Sequence, residues 1–155
     1  NYFSITSENI LAGLTSAKHP GRLEYCGRFL LDGAHNVSGA IALVTYLILD
    51  EQRPITLVFS ALHGKDVIHM SGILFPRADR IVLTQTGNSR SRIASDLLVE
   101  TGAEHYGKSV VLTESVAEAI QQAISITPEN GLIVVTGSLY LVGEARKILT
   151  ERSEI

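Results

Sequence analysis

The chain has 155 residues, the length of one domain rather than two. Residues of the apolar set make up 45% and charged residues 19%, which supports a packed core and excludes a disordered tail. Thirteen basic against 16 acidic residues give a net charge of −3, a poor balance for general nucleic-acid binding, and the single cysteine, Cys26, excludes a disulfide framework or a multi-cysteine zinc site.

Ser7 to Leu14 suits a short helix, and Ser16 to Pro20 reads as a linker. Leu23 to Cys26 and Arg28 to Leu31 flank Gly27 and predict two short neighbouring strands, antiparallel because their connection is short. Val37 to Leu49 reads as a helix, with Ala40, Ile41, Val44, Leu47 and Ile48 at helical spacing and Arg53-Pro54 beyond its end. Ile55 to Phe59 is apolar and β-branched, the pattern of a buried strand. Lys65 to Leu74 predicts a helix stopped before Pro76, and Arg80 to Leu83 a strand. Ser91 to Glu100 predicts a helix with Gly102 as its stop, then Ser109 to Leu112 a strand. Ser115 to Ile124 is helical, with Val116, Ala119, Ile120 and Ala123 on one face. A turn over Pro128 to Gly131 leads to a strand at Leu132 to Val135 and a closing helix at Leu139 to Leu149. Strands alternating with helices predict an α/β three-layer sandwich of about six strands, mostly parallel with one antiparallel strand.

In such sheets ligands sit at the carboxyl ends of the strands. The loops there are Asp32 to Asn36, Ser60 to Asp66, Thr84 to Ser91, Thr113 to Ser115 and Thr136 to Tyr140. Gly102 to Ser109 matches the GxxxxGK[ST] pattern of a phosphate-binding loop, but the order is wrong. That chemistry needs a strand before the loop and a helix after it, so that backbone N–H groups face the phosphates. Here a helix precedes and a strand follows, which leaves Gly102 as a helix cap and Gly107 as a turn. His63 and His69 are not on one helical face, so they do not make a metal pair. Cys26 reads as a small core filler. Asn88-Ser89-Arg90-Ser91-Arg92 is either a solvated loop or a contact for an anionic substrate.

Asp32-Gly33-Ala34-His35-Asn36 puts a carboxylate, an imidazole and an amide in one loop after a strand. An aspartate there can accept hydrogen bonds from a ribose diol. Equally, Asn36 or Ser38 can cap the following helix while Asp32 satisfies turn amides.

Pro20-Gly21-Arg22-Leu23-Glu24, Leu31-Asp32-Gly33-Ala34-His35-Asn36, Lys65-Asp66 and Thr136-Gly137-Ser138-Leu139-Tyr140-Leu141-Val142-Gly143 together resemble the C-terminal domain of folylpolyglutamate synthase and dihydrofolate synthase, of the Mur ligase superfamily. The resemblance runs in order from about Ile10 to Leu149 and implies a Rossmann-like domain. It makes residues 1–20 the tail of a preceding domain with its linker, and 21–155 the ligase C-terminal domain. It also implies a reaction: ATP phosphorylates the carboxylate of a pteroate or folate acceptor, and the amine of L-glutamate displaces the phosphate. By resemblance Arg22 reaches ATP phosphate, Asp32 holds the ATP ribose, His35 lines the same cleft, and Lys65 and Ser138 hold the incoming amino acid. The nucleotide loop proper and the Mg2+ ligands belong to an N-terminal ATPase domain outside this chain, so the isolated domain is expected to be inactive. Each residue also has a plainer reading. Arg22 can pair with Glu24, Lys65 can belong to a solvated helix start, and Ser138 can cap the last helix.

The chain departs from the family at two places: His19 stands where a tryptophan is common, and Ser60 follows Phe59 where glycine is usual. Two other functions fit the same sequence, a stand-alone Rossmann-like metabolite-binding module and the C-terminal domain of a cell-wall Mur ligase. With no signal-like segment and no apolar run long enough for a bilayer, the chain reads as cytoplasmic, with no membrane and no nucleic-acid partner.

Overall fold

The structure, a computed structural model, describes residues 5–16, 19–51 and 53–152. A helix, α1 (Ser7–Ser16), precedes the sheet; the expected linker at Ser16 to Pro20 lies partly outside the described residues. The strands are β1 (Glu24–Cys26), β2 (Phe29–Leu31), β3 (Ile55–Phe59), β4 (Arg80–Leu83), β5 (Ser109–Leu112) and β6 (Leu132–Thr136). The helices are α2 (Val37–Asp50), α3 (Val67–Leu74), α4 (Ala94–Thr101), α5 (Val116–Ile126) and α6 (Leu139–Arg152). The six strands lie in the order β1-β2-β6-β3-β4-β5. All neighbours are parallel except β1 and β2, as the alternation predicts.

The side chains of the strands alternate between two cores, the period-two geometry of a strand covered on both faces. Leu30, Leu57, Phe59, Ile81, Leu83, Leu132 and Val134 point to the face covered by α2, α3 and α4. Phe29, Leu31, Val58, Val82, Ile133 and Val135 point to the face covered by α5 and α6. Each such side chain taken fully out of water is worth roughly 1.5–3 kcal/mol of transfer free energy. Phe59 and Tyr106 meet the edges of Phe75 at 5.4 and 5.5 Å, which fixes the aromatic centre of the first core.

Helix ends follow side-chain caps. Asn36 Oδ1 accepts the Gly39 N–H at 2.8 Å and starts α2, and Ser115 Oγ accepts the Glu118 N–H at 3.3 Å and starts α5. Asp66 Oδ1 accepts the His69 N–H at 3.2 Å. That cap begins α3 at Val67, two residues after the expected start at Lys65. A 3-10 turn over Phe75–Arg77 then contains Pro76, where the helix was expected simply to stop. α4 starts at Ala94 rather than Ser91, because Ser91 is held in an antiparallel bridge with Leu62. Gly102 ends α4 in the left-handed region at φ 59°, and Gly107 turns into β5 at φ 64°. The GxxxxGK[ST] match therefore holds a cap, a 3-10 turn and a strand start.

Two polar networks staple the periphery. The first is centred on Glu51, which is nearly buried. It takes Arg53 Nε at 2.8 Å and Arg53 Nη2 at 2.6 Å, and its carbonyl accepts Arg77 Nη2 at 2.6 Å. The hydrogen-bonded Arg53 guanidinium pulls the Glu51 carboxyl down to about 2. Tyr25, hydrogen-bonded to Tyr46 at 3.0 Å and donating to Glu51 at 3.5 Å, is raised well above the ordinary phenol value, chiefly by burial. In the second network Arg146 Nε on α6 donates to Glu24 Oε1 on β1 at 2.9 Å. Glu24 is thus engaged by Arg146 and by the Gly21 N–H, not by Arg22. Cys26 is only half buried, at the margin of the second core, because the edge strand β1 has no further strand beyond it.

Candidate functional site at the carboxyl edge of the sheet

Three loops meet where β2, β6 and β3 end. The Asp32 N–H donates to Val135 O at 3.0 Å and carries the β2–β6 pairing one residue further. The chain then folds back on the turn before β1: the Gly33 N–H donates to Gly21 O at 2.7 Å. Asp32 Oδ1 accepts the Ala34 N–H at 2.9 Å, and Oδ2 accepts the Leu23 N–H at 3.1 Å. Leu23 stands at φ 44°, a left-handed conformation that costs a side-chain-bearing residue on the order of 1 kcal/mol. The Asp32 carboxylate holds it there. Arg22 lies between Leu23 and Gly21, itself at φ 73°, so the same clasp fixes the turn that presents the exposed Arg22 side chain.

The loop after β6 is locked to the Asp32 loop. The Gly137 N–H donates to Ala34 O at 2.9 Å, and Thr136 Oγ1 donates to the same oxygen at 3.4 Å. Gly137 has φ 103°, and a Cβ there would lie 2.4 Å from Ser60 O and 2.6 Å from the Phe59 ring. Only glycine allows β6 and β3 to end this close together. His35 Nδ1 lies 2.8 Å from Gly33 O. A carbonyl only accepts, so Nδ1 carries a proton, and Nε2 is the ring nitrogen left to face the cavities.

Two cavities result. The first, about 460 Å³, is lined by Arg22, Asp32, His35 and Asn36 together with Ser38 and the backbone of Gly33. The second, about 180 Å³, is lined by His35, Lys65, Arg90, Ser138, Leu139 and Tyr140. His35 belongs to both. Ser138 is buried, and its Oγ accepts the Tyr140 N–H at 3.2 Å, so it caps α6 and keeps its own proton to donate. Among the described residues no group of three or more His, Cys, Asp or Glu side chains gathers as a metal site. His63 is no exception, and His69 instead faces Asp66 at 2.8 Å, a contact that holds the Asp66 carboxyl below its usual range.

All five residues singled out in the sequence thus line one or both of two adjoining cavities. The alternatives for Asp32 and Ser138 coexist with that placement: each satisfies local backbone and still faces a cavity. The sequence left the loop of Arg90 and Arg92 undecided. Arg92 is taken up by an ion pair with Glu100, whereas Arg90 lines the second cavity. The pairing of the loops decides this, through His63 N–H to Arg90 O at 2.8 Å and Arg92 N–H to Ala61 O at 3.0 Å. Ser60, where glycine was expected, leaves Lys65 in the cavity; its Oγ is buried with no hydrogen-bond partner among the described residues.

An open, mainly parallel sheet with its polar cavities at the carboxyl ends defines an α/β ligand-binding domain of the doubly wound class. The chain belongs to the family described as dihydrofolate synthetase, C-terminal domain, whose model matches residues 22–148. A probable bifunctional folylpolyglutamate synthase/dihydropteroate synthase from Halobacterium salinarum is 35% identical over 147 residues, covering 92% of this chain and 18% of that protein. The folylpolyglutamate synthase of Lacticaseibacillus casei is 33% identical over 151 residues, covering 94% of this chain and 33% of that protein. The solved Mycobacterium tuberculosis folylpolyglutamate synthase complexed with ADP superposes with a TM-score of 0.85 at 30% identity, covering 94% of this chain and 35% of that one. The chain therefore spans about a third or less of the length of these relatives.

Proposed function

We propose that this chain is the C-terminal domain of a cytoplasmic, ATP-dependent ligase that adds L-glutamate to dihydropteroate, to a (tetrahydro)folate, or to both. The observation that carries this reading is the pair of cavities joined at His35. One offers a carboxylate and an arginine, the other two cations and a buried hydroxyl. In this reading residues 21–155 form the ligase domain and residues 1–20 lead in from an N-terminal ATPase domain. That preceding domain supplies the Mg2+ ligands and most ATP contacts, and the 155-residue chain alone does not catalyse.

Each residue then has a physical task. Asp32 spends one lone pair on each of two backbone N–H groups, and a carboxylate has about four acceptor sites. The remaining sites accept the ribose hydroxyls of ATP. Arg22, on its clasped turn, reaches across to ATP phosphate and neutralises charge that builds as the phosphoryl group passes to the acceptor carboxylate. His35 lines the boundary between nucleotide and amino acid. Lys65 and Ser138 hold one carboxylate of glutamate by charge-assisted hydrogen bonds, which aims the neutral amine at the acyl phosphate. Attack forms the C–N bond, the amine gives up a proton, and the C–O bond to phosphate breaks.

The test is the full-length protein that carries this chain, assayed with ATP, glutamate and either dihydropteroate or tetrahydrofolate, beside Asp32→Ala and Arg22→Ala. The expected result is glutamate addition to a pterin acceptor, lost by roughly 100-fold or more in kcat/KM in both variants. Activity on a cell-wall precursor and on no pterin overturns the folate assignment. Wild-type activity in both variants overturns the cleft assignment.

A further inference from the structure

We infer that Arg90 is the residue that recognises the second carboxylate of the incoming amino acid, and so restricts that substrate to a dicarboxylate. This rests on the reading of the second cavity as the amino-acid site.

The argument starts from charge. Among the described residues, two cations and no carboxylate line the second cavity. Neither Lys65 nor Arg90 is in an ion pair among the described residues, although Arg92, two residues from Arg90, has an acidic partner in Glu100. An amino acid whose amine is neutral for attack carries one negative charge if its side chain is neutral, and two if it is acidic. One cation matches the first and two match the second. A guanidinium left unpaired beside an ammonium is repelled by it and needs an anion to offset that repulsion.

Position supplies the direction. The cavity residues come from neighbouring strands in sheet order: Asp32 and His35 after β2, Ser138 after β6, Lys65 after β3 and Arg90 after β4. Strands are spaced ~4.8 Å apart, so the loops step away from the nucleotide side by about that distance each. The reacting amine must lie at the nucleotide end, near His35. The α-carboxylate, one carbon from the amine, falls to Ser138 and Lys65. The side-chain carboxylate of glutamate lies about one strand spacing further, ~4.8 Å, and falls to the loop after β4.

The loop is also built to hold Arg90 in place. The Arg90 N–H donates to Asn88 Oδ1 at 2.9 Å, and its carbonyl accepts the His63 N–H at 2.8 Å. Gly87 N–H donates to Glu144 Oε1 on α6 at 3.0 Å. The backbone is tied on both sides while the side chain stays exposed and in no ion pair among the described residues.

The experiment uses the full-length protein and compares L-glutamate with L-glutamine, its neutral isostere, as the amine substrate. Arg90→Gln is expected to raise KM for glutamate by about 10- to 100-fold with kcat nearly unchanged, and to leave KM for glutamine within about threefold. Arg90→Lys is expected to recover part of the loss, since it restores charge without the bidentate fork. An equal loss for both amino acids assigns Arg90 to the α-carboxylate and overturns the inference, as does an unchanged glutamate KM. Those outcomes leave the ligase reading intact if the wild-type protein adds glutamate. A wild-type protein that adds no glutamate to any acceptor overturns that reading and this inference together.

Discussion

Gly137→Ala tests the architecture of the site most directly. The glycine sits at φ 103°, and the added Cβ would lie 2.4 Å from the Ser60 carbonyl oxygen and 2.6 and 2.7 Å from two carbons of the Phe59 ring. The backbone oxygen cannot rotate away, and Phe59 is fully buried and pinned against Phe75 at 5.4 Å. The conformation costs an alanine about 1–2 kcal/mol, and forcing a methyl into a filled core adds about 1–3 kcal/mol. The sum is about 2–5 kcal/mol. In urea, with a slope of about 2 kcal/mol/M, the unfolding midpoint of the chain should fall by ~1–2.5 M with the slope kept. Gly72→Ala is the matched control. It is exposed on α3 with nothing within 4 Å of the new Cβ, and should gain about 0.5–1 kcal/mol from helix propensity. A Gly137→Ala midpoint within ~0.3 M of wild type would refute the claim that this glycine sets the closeness of β6 and β3.

Asp32→Asn keeps one carbonyl acceptor but turns an NH2 toward the Leu23 or Ala34 amide, so hydrogen exchange at one of those amides should quicken by about tenfold or more. Unchanged protection at both would show that the clasp does not depend on the carboxylate. Glu51, pulled to about 2 in the folded chain against about 4.3 unfolded, contributes stability present above that unfolded value and lost as pH falls toward 2. Glu51→Gln should therefore be less stable at pH 7 by on the order of 2 kcal/mol, and the gap to wild type should close near pH 2. Urea midpoints that run parallel from pH 2 to 7 would count against it. Arg28 Nη2 donates to Ile124 O at 2.9 Å at the C-terminal end of α5, so Arg28→Met should lower stability by about 1 kcal/mol, read as a thermal midpoint shift of about 2–4 °C.

Much of the sheet was legible because its strands are continuous apolar runs bounded by glycine, proline and polar loops. β3 and the helix before it, α2, follow from local sequence alone. The misplaced starts of α3 and α4 came from contacts that local sequence does not encode. Asp66 could cap or be capped, and Ser91 leaves its helix only because Leu62 meets it across another loop. Arg90 and Arg92 look alike in sequence; they part because Glu100, near the far end of α4, claims one of them. The pairing of Glu24 with Arg146 bridges almost the whole chain and displaces the more local Glu24–Arg22 pair that spacing offered. The five residues expected in the site were legible for a different reason. Four of them sit on short loops directly after strands, where the topology of a parallel sheet leaves little choice of position, and Arg22 precedes the antiparallel β1, whose start lies at the same edge.

The strand that separates β2 from β3, and touches both, is the last to be made. During synthesis the β1–β2 hairpin and the β3–β4–β5 sheet emerge as two pieces with a gap between them, each exposing an unpaired edge. Only when Leu132–Thr136 leaves the ribosome can it fill that gap and bring Asp32, Lys65 and Arg90 onto one rim. A chain stopped short of Leu132 would then have helices and partial sheets but no cavity, and two sticky edges in its place. The domain is thus most exposed to aggregation just before it is complete, and binding competence arrives in one late step rather than by degrees.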